Sequence, residues 1–192
     1  MKKFINILSV ICIFILLITF NNIKVANANA ILRGIYTVKQ AKSNWCWAAC
    51  CESVGKDWYP SSNRDQWSVV LYLKGDTFPD VSGDIYDKIN GAQYAAFYYV
   101  YLSAVNFNPD TVTYANIVNA MNLKSQNFIV DFGYYNANNV RGGGHSMVVY
   151  GYDDSNQSVY YMDPSTGLAY KIPFTSFRTC LGSTGKLERI YK

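Results

Sequence analysis

Cys46 is the residue best suited to act as a nucleophile. It stands between Trp45 and Trp47-Ala48-Ala49, where helix-forming residues begin after Asn44, a fair N-cap. A helix start presents unbonded N–H groups and a partial positive charge. That setting favours the thiolate, the form that attacks carbonyls. The chain beyond residue 30 has three other cysteines, Cys50, Cys51 and Cys180. In an exported protein the plain expectation for such cysteines is disulfides. Cys50 and Cys51 are neighbours and cannot easily bond each other, so a bridge would join Cys180 to one of them. On a helix, Cys50 lies one turn after Cys46 and should point inward beneath it.

His145 is the only histidine. It sits in Arg141-Gly142-Gly143-Gly144-His145-Ser146, at the entrance to an apolar strand. The glycines let the backbone pass close to another chain, such as a substrate. A thiol nucleophile needs a base, and imidazole serves near neutral pH. If Cys46 works through a histidine, that residue is His145. One histidine also excludes histidine-rich zinc sites, and no C-x-x-C spacing supports a mixed site. No metal or other cofactor is expected.

Asp163 follows from hairpin geometry. A strand starting at His145 and one ending at Asp163-Pro164 flank the turn cluster Asp153-Asp154-Ser155-Asn156. A hairpin centred on Asp154 sets His145 directly opposite Asp163, with Cβ atoms about 4.5–5.5 Å apart. Asp163 could then hold the imidazole tautomer and stabilise the imidazolium. A slip of one residue would send the two side chains to opposite faces. Gln40, six residues before Cys46, could complete the set. Its amide and the Cys46 backbone N–H could form an oxyanion hole, where one donor is worth about 2.7–4 kcal/mol, as in subtilisin.

Four helices and five strands must position these groups. Helical spacing and stop residues predict helices over 45–54, 64–73, 84–103 (one long helix or a pair) and 113–121. Strands are expected over 128–132, 146–152, 159–162, 168–172 and 187–191. Helices followed by strands argue for an α+β fold with an antiparallel sheet.

The composition agrees with one folded domain. Of 192 residues, 50% are apolar and 16% charged, which excludes an intrinsically disordered chain. The net charge is +4, but Lys2, Lys3 and Lys24 lie in the first thirty residues. Without them 14 basic residues face 13 acidic ones, a balance of +1. Such a domain has no electrostatic footprint for nucleic acid. Residues 1–30 read as a secretory signal peptide. Lys2 and Lys3 precede an apolar run over 5–20, and Ala26-Asn27-Ala28-Asn29-Ala30 offers A-x-A cleavage sites. The run is short of the roughly 20 residues that span a bilayer. The expectation is a secreted domain, 31–192, starting near Ile31, with no membrane anchor after cleavage.

Gln40-x5-Cys46-Trp47-Ala48-Ala49, then Gly144-His145-Ser146-Met147-Val148-Val149-Tyr150-Gly151-Tyr152, then Asp163-Pro164 resembles the papain-like cysteine peptidases. The resemblance is nearest to the small bacterial secreted branch, with plant-pathogen effector proteases and bacteriocin-leader peptidase-like domains. It implies a two-lobed fold, with a helical N-terminal lobe, an antiparallel sheet lobe and the site in the groove between. Cys46 matches the nucleophile, His145 the base, Asp163 the orienting residue and Gln40 the oxyanion residue. The implied partner is a protein or peptide substrate, cleaved through an acyl-enzyme. Two other readings use the same residues differently. One is another acyl transferase of the clan, transglutaminase-like or a cell-wall amidase or endopeptidase. The other is a non-enzymatic exported binding protein, with Cys46 in a disulfide and the aromatic segment 94–101 as a surface.

Overall fold

The computed structural model describes residues 29–99, 101–124, 126–181 and 184–192. Apart from Asn29 and Ala30, the expected signal segment lies outside the described residues. The fold is α+β, with a seven-stranded antiparallel sheet and five helices among the described residues. Among those residues no helix is long and apolar enough to cross a membrane.

The chain opens with β1 (Ala30–Leu32), followed by α1 (Cys46–Trp58), α2 (Gln66–Lys74) and α3 (Ile85–Ala95). Next come β2 (Ala104–Asn106), α4 (Tyr114–Lys124), β3 (Phe128–Tyr135) and β4 (Arg141–Asp153). The chain closes through β5 (Ser158–Asp163), β6 (Leu168–Pro173), α5 (Phe174–Phe177) and β7 (Gly185–Tyr191). Strand order is β2-β7-β3-β4-β5-β6, with β1 also on β4.

Alternation along the strands divides the core into two layers. Ile129, Val148, Met162 and Tyr191 face Trp47, Cys50, Val54 and Val69 of the first helices. Val130, Met147, Val149 and Tyr161 face Ile117, Met121, Phe174 and Phe177. Helices therefore cover both faces. The period of two in β3, β4 and β5 makes this possible, because each strand is apolar on both sides.

Helix ends differ from expectation where local chemistry decides them. The α1 start is capped by no side chain, and Trp45 holds the N-cap position. Asn44 instead binds Asp80 through its backbone N–H at 2.8 Å and Asp80 O through its amide at 3.1 Å. Helix α1 also runs through Gly55, packed on α3. Asp65, not Ser61, Ser62 or Asn63, caps α2 by accepting from Ser68 N at 2.8 Å. Asp84 and Asp87 form a capping box at the α3 start. The expected helix to residue 103 stops at Ala95, since Phe97 and Tyr98 take φ of 54° and 64°. Those left-handed values break the i→i−4 ladder.

Candidate active site

Cys46 begins α1 as a half-buried residue. With no side-chain cap, the first-turn N–H groups remain available to an anion. Two indoles fasten this end of the helix to the loop before α3. Trp45 Nε1 donates to Pro79 O at 2.9 Å, and Trp47 Nε1 to Val81 O at 3.0 Å. A Cβ on Gly83 would sit 2.5 Å from the Trp47 ring, so only glycine lets this loop close over the indole.

His145 lies on β4 opposite Phe132 of β3. On the other side β5 has ended, and the pairs run only to Val148↔Met162. The imidazole Nε2 meets Asp163 Oδ1 at 2.8 Å. Cys46 and His145 line the same cleft, and the imidazole is close enough to favour the thiolate. Ser165 N donates to the same Asp163 oxygen at 2.8 Å. His145 is thus bonded to Asp163 and lines one cleft with Cys46. A thiol, an imidazole and a carboxylate in this order can hold a thiolate–imidazolium pair, which suits nucleophilic acyl transfer.

The electrostatics favour that pair. Burial alone would raise the Cys46 pKa. The hydrogen bond and charge of His145, the Ser146 backbone N–H and the charge of Lys88 outweigh burial and bring it below the ordinary thiol value. Burial alone would lower His145. Its bonds to Asp163 and Cys46, and their charges, push it up to about 9. Burial would raise Asp163, but the bonds from His145 and Ser165 bring it below the usual carboxylate range. Cys50 and Cys51 are raised by burial, so they stay protonated thiols.

The expected face-to-face pairing of His145 and Asp163 needs correcting. The turn comprises residues 154–157, since Asp153 pairs with Ser158. The hairpin is therefore not centred on Asp154. Up to Gly151↔Tyr160 the register would carry Asp163 to Val148, on the wrong face for His145. A bulge between Val149 and Gly151 absorbs Tyr150 as an extra residue. Beyond it, Val149↔Tyr161 and Val148↔Met162 continue toward Met147 and Asp163. His145 is then two residues from Met147 and shares its face. The two side chains meet on the diagonal. Gly151 sits at the bulge because a Cβ there would lie 2.4 Å from Ile31 O of β1.

Gln40 stands apart from this chain of groups. Its backbone N–H donates to Pro164 O at 2.8 Å, tying its loop to the Asp163 turn. Its amide Nε2 donates to Lys42 O at 2.9 Å and Ser43 O at 2.7 Å. Both amide protons are thus engaged in shaping the loop into α1.

The expected disulfide between Cys180 and Cys50 or Cys51 is not formed. Cys46, Cys50 and Cys51 are thiols. Cys50 and Cys51 belong to the layer beneath α1, whereas Cys180 belongs to the layer on the far face of the sheet. Tyr134 Oη lies 3.5 Å from its sulfur.

Sequence reading missed a buried charged cluster beneath the cleft. Asp131 on β3 accepts from Ser146 Oγ at 2.6 Å and Tyr191 Oη at 2.6 Å. It also pairs with Lys88 of α3 at 3.1 Å and Arg189 of β7 at 3.4 Å. Lys88 donates in addition to Gly83 O at 2.8 Å. Ser146 and Lys88 are both groups that favour the Cys46 thiolate. The one available signal was Ser146, next to His145. Lys88, Asp131, Ser82, Gly83 and Arg141 line a cleft with Cys46 and His145, of about 110 Å³. It opens into a wider polar groove of about 580 Å³, toward Asn106 and Glu188.

The model of the Peptidase_C39-like family matches residues 33–188. The chain belongs to this family. It is a family of papain-like cysteine peptidases, so the Peptidase_C39-like match and the thiol–imidazole–carboxylate geometry point to one chemistry. The matched span of this Peptidase_C39-like chain contains Gln40, Cys46, His145 and Asp163. A search of curated proteins gave no match.

Proposed function

We propose that this chain is a secreted cysteine endopeptidase that hydrolyses peptide bonds through Cys46, His145 and Asp163. The observation that carries the reading is an imidazole hydrogen-bonded to a carboxylate and lining one cleft with a cysteine at an uncapped helix start. The Cys46 thiolate attacks the scissile carbonyl. The imidazolium protonates the leaving amine, and an acyl-enzyme remains on sulfur. His145 then takes a proton from water as that water attacks the thioester. Asp163 holds the tautomer and the charge of the ring.

The oxyanion that forms needs donors. The Cys46 backbone N–H at the helix start is the first. Gln40 is the second in the family resemblance, and serving so requires its amide to release Lys42 O or Ser43 O. The α1–α3 layer and the sheet correspond to the two papain-like lobes, with the substrate in the cleft lined by Cys46 and His145. Within the clan we assign the chain to the small bacterial secreted branch, on the motif around Cys46 and the strand after His145. Export follows from residues 1–30, and the substrate is a protein or peptide outside the cell.

The test is labelling with an epoxide-type thiol inhibitor, followed by peptide mapping and a casein digestion assay. Modification of Cys46 alone, with loss of casein cleavage, supports the reading. Labelling of Cys46 with turnover of purified cell wall, and none of casein, assigns the same triad to another acyl transfer. A Cys46 that resists the reagent in native protein overturns both.

A further inference from the structure

Gly133 of β3 and Gly144 of β4 are directly paired, next to the pair Phe132↔His145. A Cβ on Gly133 would overlap the Glu188 carboxylate, and one on Gly144 would lie 2.7 Å from Arg141 Nη2. The two glycines are thus a floor on which an ion pair lies flat. Arg141 Nε donates to both Glu188 oxygens at 3.1 Å, and Tyr135 Oη donates to Oε1. Gly144 shares its face with Ser146 and Val148, and Val148 packs in the layer of α1. Arg141 therefore lies on the side of the sheet where Cys46 starts α1, and it lines the cleft with Cys46.

The charges around this cleft are not equally available. The Arg141 side chain is 48% exposed and that of Glu188 only 11%. Asp131 is buried and held by Lys88, Arg189, Ser146 and Tyr191. Lys88 is buried too, and donates to Asp131, Gly83 O and Asp84 O. Arg189 donates to Asn106, Tyr191 and Asp131. Asp84 is exposed, but it stands in the wider groove at the α3 start, where it accepts from Asp87 N, and does not line the cleft. Among the described residues Arg141 bonds through Nε alone, which leaves both Nη groups to a ligand. The accessible charge is cationic, in the form of a planar fork that matches a carboxylate.

Cys46 does not line the second hollow beside His145, about 400 Å³ between Tyr134, Asp163 and Cys180. The acyl part of a substrate becomes bonded to the thiol sulfur, whereas the leaving amine takes its proton from the imidazole. The acyl side therefore runs through the cleft past Gly144. Extended residues are about 3.3 Å apart, so Nη2 over Gly144 reaches one or two residues from the scissile bond. We propose that the Nη groups of Arg141 bind an acidic side chain, Asp or Glu, at that place in the substrate. The inference rests on the cysteine peptidase reading and names its preference. Glu188 and Tyr135 hold the fork in place.

The test measures how fast peptidyl chloromethyl ketones alkylate Cys46, which needs no turnover. The thiolate displaces chloride, and the peptide occupies the acyl side. Acetyl-Glu-Ala and acetyl-Ala-Glu ketones are each compared with their Gln counterparts, with peptide mapping of the label. At one of the two positions the Glu reagent should react about tenfold faster, and salt at about 1 M should shrink that ratio. Arg141→Met should bring the ratio to about one. Glu188→Gln should raise it, because it removes a competing carboxylate and keeps an acceptor for Nε. Each ratio is internal to one variant, so a general loss of reactivity leaves it readable, and circular dichroism reports the fold. Equal rates for Glu and Gln at both positions, with Cys46 still alkylated by iodoacetamide, overturn the preference and leave the peptidase reading standing. A ratio that survives in Arg141→Met also overturns it, by assigning the preference to another group. A Cys46 inert to every reagent overturns the peptidase reading, and the preference with it.

Discussion

His145 and Asp163 meet diagonally across a bulged hairpin, Nε2 to Oδ1 at 2.8 Å. The strand pairs run to Val148↔Met162, which sets Asp163 beside Met147 and two residues from His145. Tyr150, the bulged residue, is what brings the two side chains to one face. With a regular ladder from Gly151↔Tyr160 onward, Asp163 would pair with Val148 and point away from the imidazole.

Removal of the nucleophile or the base should abolish turnover without unfolding the chain. Cys46→Ala should lose at least about 10³-fold in kcat/KM, and His145→Ala about 10²–10⁴-fold. Asp163→Ala should leave weak activity, because it acts through the ring. Peptide hydrolysis rates, with circular dichroism as the fold control, check this. Wild-type turnover by Cys46→Ala would refute the assignment.

Activity should follow a bell in pH. In the proposed mechanism the reacting state has Cys46 ionised and His145 protonated. Activity therefore rises as pH passes the Cys46 pKa, which lies below the ordinary thiol value. It falls as pH passes that of His145, pushed up to about 9. The two limbs belong to the coupled pair. Asp163→Asn removes a negative charge from the imidazolium, so the alkaline limb should move to lower pH and the bell should narrow. The pH profile of kcat/KM and of iodoacetamide alkylation measures both. Rates that keep climbing through the alkaline limb would exclude His145 from the chemistry.

Lys88→Met should move the acid limb to higher pH, because the Lys88 charge favours the Cys46 thiolate. It also leaves Asp131 with Arg189 as its remaining ion-pair partner. Breaking a buried pair from one side costs about 3–5 kcal/mol. With Arg189 still in place the loss should fall near the low end, about 3 kcal/mol. Urea unfolding gives the stability, and alkylation against pH gives the limb. An unchanged limb would show that Lys88 acts on packing alone.

Gly83→Ala should damage the cleft from its wall. The new Cβ would lie 2.5 Å from the Trp47 ring, so either the indole or the loop must move. Overpacking of this kind costs about 1–3 kcal/mol. The Trp47 bond to Val81 O should weaken, with a higher KM and a lower melting temperature. Full activity with unchanged melting would mean that the loop yields freely.

If the signal segment is removed on export as proposed, the contacts of β1 favour a start at Asn29 over the start near Ile31 expected from the sequence. Ala30 pairs with Asp153, and Asn29 O accepts from Asp154 N at 3.0 Å. Cleavage after Ala28 keeps both contacts, whereas cleavage after Ala30 removes them. N-terminal sequencing of the exported protein decides between the two. An Ile31 start would show that β1 tolerates the loss.

The candidate nucleophile and its candidate histidine stand out in the sequence because their signals are local. A helix start follows from the residues around Cys46, and one histidine leaves no choice of base. The α+β class followed from the change in apolar period near Phe128. Asp163 was found by symmetric hairpin arithmetic, but its partnership rests on the Tyr150 bulge. A bulge depends on β1 and β5 pairing with both edges of β4, and no local pattern encodes that. The Asp131 cluster joins residues from α3, β3, β4 and β7, which are distant in the chain. Folding brings Asp131 between Lys88 and Arg189. The fate of the Gln40 amide was likewise decided in three dimensions, where it donates to the carbonyls of Lys42 and Ser43. Chemistry that resides in one residue type at one helix start is written along the chain. Chemistry that needs two strands in register is settled only when the sheet assembles, because a single residue of slip reverses every side chain beyond it.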